Sequence, residues 1–420
     1  MPRPKVQVVL QLLGVAALLL GAGDGTPPPK ALNWEDARAH AKTRPRYLRP
    51  VPYTPVPTDL PDLTAATCGK CHVEIYEEWK VSTHARAWKD DLQFLAELEK
   101  SEKQGVGWLC MNCHTPLTNQ LPRLVADLPG DRWDRPTFVP NPNFDPVLQD
   151  EAITCATCHV EDGVILGPYG NTVAPHAVKK SDKLLGPEVC TQCHQAQAQR
   201  LELNLICVFN TGAEWEASPQ KKQGKICQSC HMPEVTRGLV GGGPPRKTRR
   251  HWFGGSLIPK QPGFAAELEP LMAHYPPGLS VRPAKAPKRL KPGEKAEWAV
   301  EIQNQEAGHY LPTGDPERFL LIVLRAKDQS GALLAERTER IGIDYQWYPE
   351  IKKLSENRLA PKERRRYGLQ FVAPASGEVR LEVEASRWRI SQQNLEYHHL
   401  DGRYVPGQTF YRNQQQIPVR

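Results

Sequence analysis

Ten of the eleven cysteines in this 420-residue chain stand in five C-x-x-C-H units. These are Cys68-Gly-Lys-Cys71-His72, Cys110-Met-Asn-Cys113-His114, Cys155-Ala-Thr-Cys158-His159, Cys190-Thr-Gln-Cys193-His194 and Cys227-Gln-Ser-Cys230-His231. Two thiols three residues apart can each add to one vinyl group of the same porphyrin, and the histidine that follows offers an imidazole nitrogen to its iron. Structural zinc pairs do not require a histidine after every second cysteine. Iron–sulfur clusters want four cysteines each, and a disulfide framework gives these histidines no task. The pattern therefore implies five covalently bound haem c groups, with His72, His114, His159, His194 and His231 as proximal ligands. The remaining cysteine, Cys207, lies in Leu205-Ile-Cys-Val-Phe209; its apolar flanks make it a buried structural thiol.

Eight further histidines are available as sixth ligands. Bis-histidine iron exchanges electrons readily and resists small ligands, so each candidate is weighed on its surroundings. His84, in Trp79-Lys-Val-Ser-Thr-His-Ala85, is expected on the helix leaving the first motif. His176, in Ala174-Pro-His-Ala177, sits in a loop between the third and fourth motifs. His251 follows the basic run Arg246–Arg250 and precedes Trp252-Phe-Gly-Gly255, and His309 sits in Ala307-Gly-His-Tyr-Leu-Pro-Thr-Gly314, a turn between two predicted strands. These four are the distal candidates. His40, His274, His398 and His399 read as structural or surface residues, with one of the last three expected to serve the fifth iron. Met111 and Met232 lie too close to their own motifs to reach across a ring.

The stretch from Ala66 through Cys68, Cys71, His72 and Trp79 to His84-Ala85 resembles the opening of the nitrifier tetrahaem cytochromes and related multihaem c-type cytochromes. In that superfamily a serine-x-histidine-alanine element supplies a distal ligand, which the resemblance assigns to His84. Cys227-Gln-Ser-Cys-His-Met-Pro233, followed by Arg250-His251 and Gly254-Gly255, is similar to the final motif and distal histidine of the same group. Gly308-His-Tyr-Leu-Pro-Thr-Gly314 resembles a loop in members with an appended β-domain. The similarity spans roughly residues 66–320 and implies the superfamily without a substrate, since the group contains both carriers and enzymes.

The elements that must hold these motifs are sparse. The motifs start 42, 45, 35 and 37 residues apart, with no strict repeat, and leave little sequence between them for a conventional core. The porphyrins must supply most of the buried apolar surface there. Glu74–Lys100 is the best long helix, with a break near Val81–Thr83, and residues 233–263 read as a long crossing loop. From Val281 onward, Trp298/Val300/Ile302, Tyr367/Leu369/Phe371 and Val379/Leu381/Val383 alternate as strands do, and Phe319–Leu324 suits a strand buried on both faces. The expected fold class is a mostly irregular and α-helical multihaem cytochrome domain plus a C-terminal antiparallel β-sandwich domain. Its expected segments are a signal peptide (1–25), a proline-rich extended arm (26–62) anchored by Trp34, a pentahaem domain (63–280) and the β-sandwich (281–420).

Arg3, Lys5 and the apolar stretch Val6–Leu20 before Gly21-Ala-Gly23 form an export signal, which predicts a periplasmic or extracellular protein, soluble once the signal is removed. The formal charge of +7 suggests nucleic acid at first sight. Five haems with their propionates would shift that charge by roughly −5 to −10, which removes the argument. The expected partners are redox proteins, with docking onto a membrane complex as a further option. The expected function is electron transfer through five closely packed, mainly bis-histidine haems. The alternative is a reductase or oxidase of a small nitrogen or sulfur compound at one haem with an open sixth position; the C-x-x-C-Lys variant of pentahaem nitrite reductases is absent.

Overall fold

A computed structural model describes residues 31–170, 173–275, 277–347 and 349–420; the expected signal peptide lies outside these residues. Asn33–Arg420 form one compact unit. Among the described residues no helix is long and apolar enough to cross a membrane.

Within that unit the first half is built from short pieces. The attachment motifs fall on the helices Ala65–Gly69, Trp108–His114, Cys155–His159, Glu188–His194 and Cys227–His231, the first of which ends within its motif. One helical turn is what the chemistry needs, because it brings residues i, i+3 and i+4 to one face. The arm is not simply extended. Asn33 accepts the N–H groups of Glu35 and Asp36, Asp36 caps back onto Asn33, and a helix runs from Trp34 to Thr43. Its Ala37 packs with Leu121 and with Leu124 and Val139 of the hairpin formed by Arg123–Asp127 and Thr137–Pro140.

The long helix expected after the first motif is two helices, Val73–Lys80 and Leu92–Lys103. Val81, Ser82 and Thr83 are poor helix formers, and the chain turns through 81–91 until Asp91 accepts the N–H of Phe94 and caps the second helix. His84 therefore sits on turns between helices. The crossing loop also gains structure: Glu234–Gly238 and Pro245–Arg249 pair as an antiparallel hairpin, with Gly242 at φ 74° in its turn.

The second half carries two antiparallel sheets. One orders Leu279–Lys285, Lys295–Asn304 and Arg364–Val372; the other orders Lys352–Glu356, Leu333–Gln346, Phe319–Asp328, Gly377–Trp388 and Gly407–Val419. Trp298, Val300, Ile302 and Leu369 from the first sheet join Ile322, Leu324, Ile341, Leu381 and Val383 from the second in one buried core. Phe319–Asp328 is not buried on both faces. Ile322, Leu324 and Ala326 are buried, while Leu321 and Val323 alternate with them at a half-covered surface, because only one side of the strand meets the other sheet.

Candidate metal centres

Four of the five motif histidines each face one other histidine. The ring centres are 6.5 Å apart for His72 and His176, 6.3 Å for His84 and His194, 6.3 Å for His159 and His251, and 6.2 Å for His231 and His309. An ion bound by two imidazole nitrogens at about 2.0 Å each, with each ring centre about 1.1 Å behind its nitrogen, would hold the ring centres about 6 Å apart. The four separations match that span, so the residues present fit an iron between each pair. Among the described residues, no group of three or more His, Cys, Asp or Glu side chains is arranged to cage a bare ion. The histidines meet in twos, as a porphyrin that supplies four equatorial nitrogens requires.

Ring orientation supports the same fit. The Nδ1 atoms of His72, His114, His159 and His231 lie 2.9, 2.6, 3.0 and 2.5 Å from the carbonyls of Leu239, Ala87, Leu166 and Gly254. His251 Nδ1 meets the Arg249 carbonyl and His309 Nδ1 meets the Tyr310 carbonyl, each at 2.9 Å. A carbonyl on Nδ1 fixes the proton there and frees Nε2 for a metal. Burial holds His84 down to about 3 and His194 and His251 down to about 4, with neighbouring histidines adding to the effect. It also lowers His114, His159 and His309. All are therefore neutral near pH 7, the form that ligates.

The fifth motif histidine is different. Among the ring contacts of the described residues His114 has no histidine against it; the Phe94 ring stacks on it with centres 3.6 Å apart and planes 6° apart. His398 instead places Nε2 2.7 Å from Glu97 Oε1, His274 lies beside Trp252, and His399 is exposed. His40 accepts from Arg44 Nε at 3.2 Å. None of these four faces a motif histidine among the ring contacts of the described residues.

The motifs interlock out of sequence order. The Cys68 thiol lies near enough to Cys155 to influence its ionisation, as do Cys113 to Cys193, Cys190 to Cys227 and Cys158 to Cys190. Cys207 packs with the Leu48, Trp108 and Leu109 cluster, and burial pushes its thiol well up. The basic run Arg246–Arg250 turns partly inward: Arg249 donates to the carbonyls of Gln228 and Met232, and Arg250 to Glu78. Glu78 and Glu214 are functional candidates that motif reading passed over. Each is buried and bonded to the backbone of a candidate distal histidine or of its neighbour. The available signal was an arginine run with no acidic neighbour in sequence to balance it.

Residues 67–129 match the family of cytochrome c554 and c-prime. The fold is similar to that of a penta-haem cytochrome c552 from Thermochromatium tepidum, with a TM-score of 0.58 and 19% identity over 84% of this chain and 98% of that one. A CARDB domain from Pyrococcus furiosus (16% identity, 34% of this chain, 87% of that chain) and a human PapD-like domain (13%, 34% and 85%) have TM-scores of 0.17 and carry no argument. No curated protein gives a significant match. The chain thus shares a segment with the cytochrome c554 and c-prime family and a fold with a penta-haem cytochrome c552, and its five C-x-x-C-H units are of the kind that attach haem c.

Proposed function

We propose that this protein is an exported electron-transfer cytochrome with five haems, four of them bound by two histidines. The observation that carries the reading is the set of four histidine pairs at 6.2–6.5 Å. Each haem would supply one-electron chemistry at its iron, with potentials set by the ligands and their surroundings. The chain's own residues do the rest. The cysteines tether, and the carbonyls on Nδ1 aim the rings of His72, His114, His159, His231, His251 and His309. The nearness of the motif cysteines sets neighbours: the first motif beside the third, the third near the fourth, and the fourth beside both the second and the fifth. Electrons would pass between partner redox proteins along the order first, third, fourth, fifth, with the second motif as a branch. We read the two-sheet region as a sandwich that lends His309 to the last site of that path.

A second reading is favoured at one site only. Phe94 stacks directly on the His114 ring at 3.6 Å, too close for an iron between them, and the ring contacts of the described residues pair no second histidine with His114. The haem on Cys110 and Cys113 is therefore the place for an open sixth position and for reduction or oxidation of a small nitrogen or sulfur compound. Titration of the ferric protein with cyanide separates the readings. One binding equivalent per five haems supports a reactive second-motif site, none supports a pure carrier, and several would contradict the paired-histidine assignment.

A further inference from the structure

Two of the histidines that face a motif histidine, His251 and His309, follow the last attachment motif in sequence, and a buried glutamate holds the backbone of each loop. Glu78, on the helix Val73–Lys80, is 5% exposed and accepts the N–H of His251 at 2.8 Å. Its carboxylate also takes Arg237 Nη1 and Nη2 at 2.6 and 2.9 Å and Arg250 Nη1 at 2.6 Å. Arg237 in turn donates at 3.1 Å to the Arg249 carbonyl, the group that meets His251 Nδ1. Glu78 thus grips the ligand's peptide and, through Arg237, the carbonyl that orients its ring.

Glu214 repeats the device for the other loop. It sits on the helix Thr211–Glu216, is 9% exposed, and accepts the N–H of Tyr310 at 3.1 Å and the Thr313 hydroxyl at 2.7 Å. Arg358 Nη1, from the second half of the chain, closes on the same carboxylate at 2.6 Å. The Tyr310 carbonyl meets His309 Nδ1, so Glu214 holds the residue that sets the ring. A buried carboxylate is costly unless paired and fully hydrogen-bonded, and both meet that condition by binding a distal-histidine loop. His176, which comes from between two motifs, has no such support: its buried Nδ1 has no partner among the described residues.

We propose that Glu78 and Glu214 are positioning residues that fix the His251 and His309 imidazoles opposite His159 and His231. The proposal rests on the reading of His251 and His309 as iron ligands, and its test keeps the two apart. Fully haem-loaded His251→Ala and His309→Ala are expected to convert one low-spin ferric haem each to high spin in electron paramagnetic resonance. If they do not, the ligand reading fails, and the glutamate proposal with it. Glu78→Ala and Glu214→Ala are expected to give the same high-spin signal in part of the molecules, reversed by added imidazole. Cyanide should bind the affected haem about 10- to 100-fold faster, the range typical of lost support behind a metal ligand. Glu78→Gln and Glu214→Gln keep one acceptor and serve where an alanine variant fails to mature; they should show the same acceleration, but only a few-fold. Unchanged spin state and cyanide kinetics in the glutamate variants, beside a clear signal in the histidine variants, overturn the proposal. So does a lowered melting temperature with neither change, which would mark both carboxylates as merely structural.

Discussion

The two halves of this molecule solve the same problem in opposite ways. The second half gathers 22 buried residues from two sheets and their connections into one core. In the first half the largest cluster has seven buried residues, Leu48, Val106, Trp108, Leu109, Leu128, Trp133 and Ala198, and its other clusters have four or five. Cores that small cannot offset the chain entropy of ordering so many residues. On the function proposed above, the first half needs porphyrins as building material; the second does not. The difference shows how a chain can be a cofactor scaffold in one place and an ordinary folded body in another, joined through His309, Glu214 and Arg358.

Removing haem attachment altogether should break the symmetry of the comparison most severely. In chain produced without haem attachment, hydrogen exchange is expected to reach the fully unfolded limit across 65–231 while the strands of 295–304, 319–328 and 377–388 stay protected. Equal protection of both halves would mean that the first half has a sufficient core of its own.

Next in size is truncation inside the second half. Ile341 is fully buried, and Ile341→Ala should cost about 2–5 kcal/mol of unfolding free energy. Absorbance should show the other four haems unchanged and any loss confined to the one paired by His309.

Acid should act on the first half. His84, His194 and His251 have folded values of about 3, 4 and 4, below the ordinary 6.5, because burial penalises the charged ring. The unfolded chain therefore binds more protons than the folded one between about pH 6.5 and 4. The stability these histidines contribute is present above pH 6.5 and is lost as pH falls toward 4. Iron on the same nitrogens opposes protonation further, so in the haem-loaded protein low-spin absorbance is expected to outlast this window, and its loss between pH 6.5 and 4 would count against ligation by these histidines.

Glu317 is a smaller effect of opposite sign. Burial, with Asp315 and Glu97 nearby, raises it to about 8. Its contribution is full below its ordinary value of 4.5 and is lost as pH rises through 8. Glu317→Gln should therefore gain stability relative to the parent between pH 4.5 and 8 and hold that gain at higher pH, as thermal melts across this range would register.

Much of this was legible in sequence because attachment chemistry is local: two thiols and an imidazole must share one turn, and spacing alone reveals it. The strands were legible because Trp298, Val300 and Ile302 alternate against a core. Which histidine meets which was not. His84 lies twelve residues beyond His72 yet faces His194, while His72 meets His176. Those pairings depend on how the turns at 81–91 and the loop at 173–177 fold back, which no periodicity encodes. The arm helix was hidden by its prolines, although Asn33 and Asp36 carry a capping box. Glu78 was hidden because Glu77-Glu78 reads as a solvated face; only the inward turn of Arg237 and Arg250 reveals a buried acceptor.

The paired-histidine account is tested most directly by counting. Pyridine haemochrome gives haems per chain, and spin quantitation of the ferric electron paramagnetic resonance spectrum gives how many are low-spin with two histidines. The expected result is five haems, four of them bis-histidine low-spin, with the remaining one assigned to the second motif by its loss in Cys110→Ala/Cys113→Ala. Fewer than five haems, or fewer than four bis-histidine signals in fully loaded protein, would contradict it.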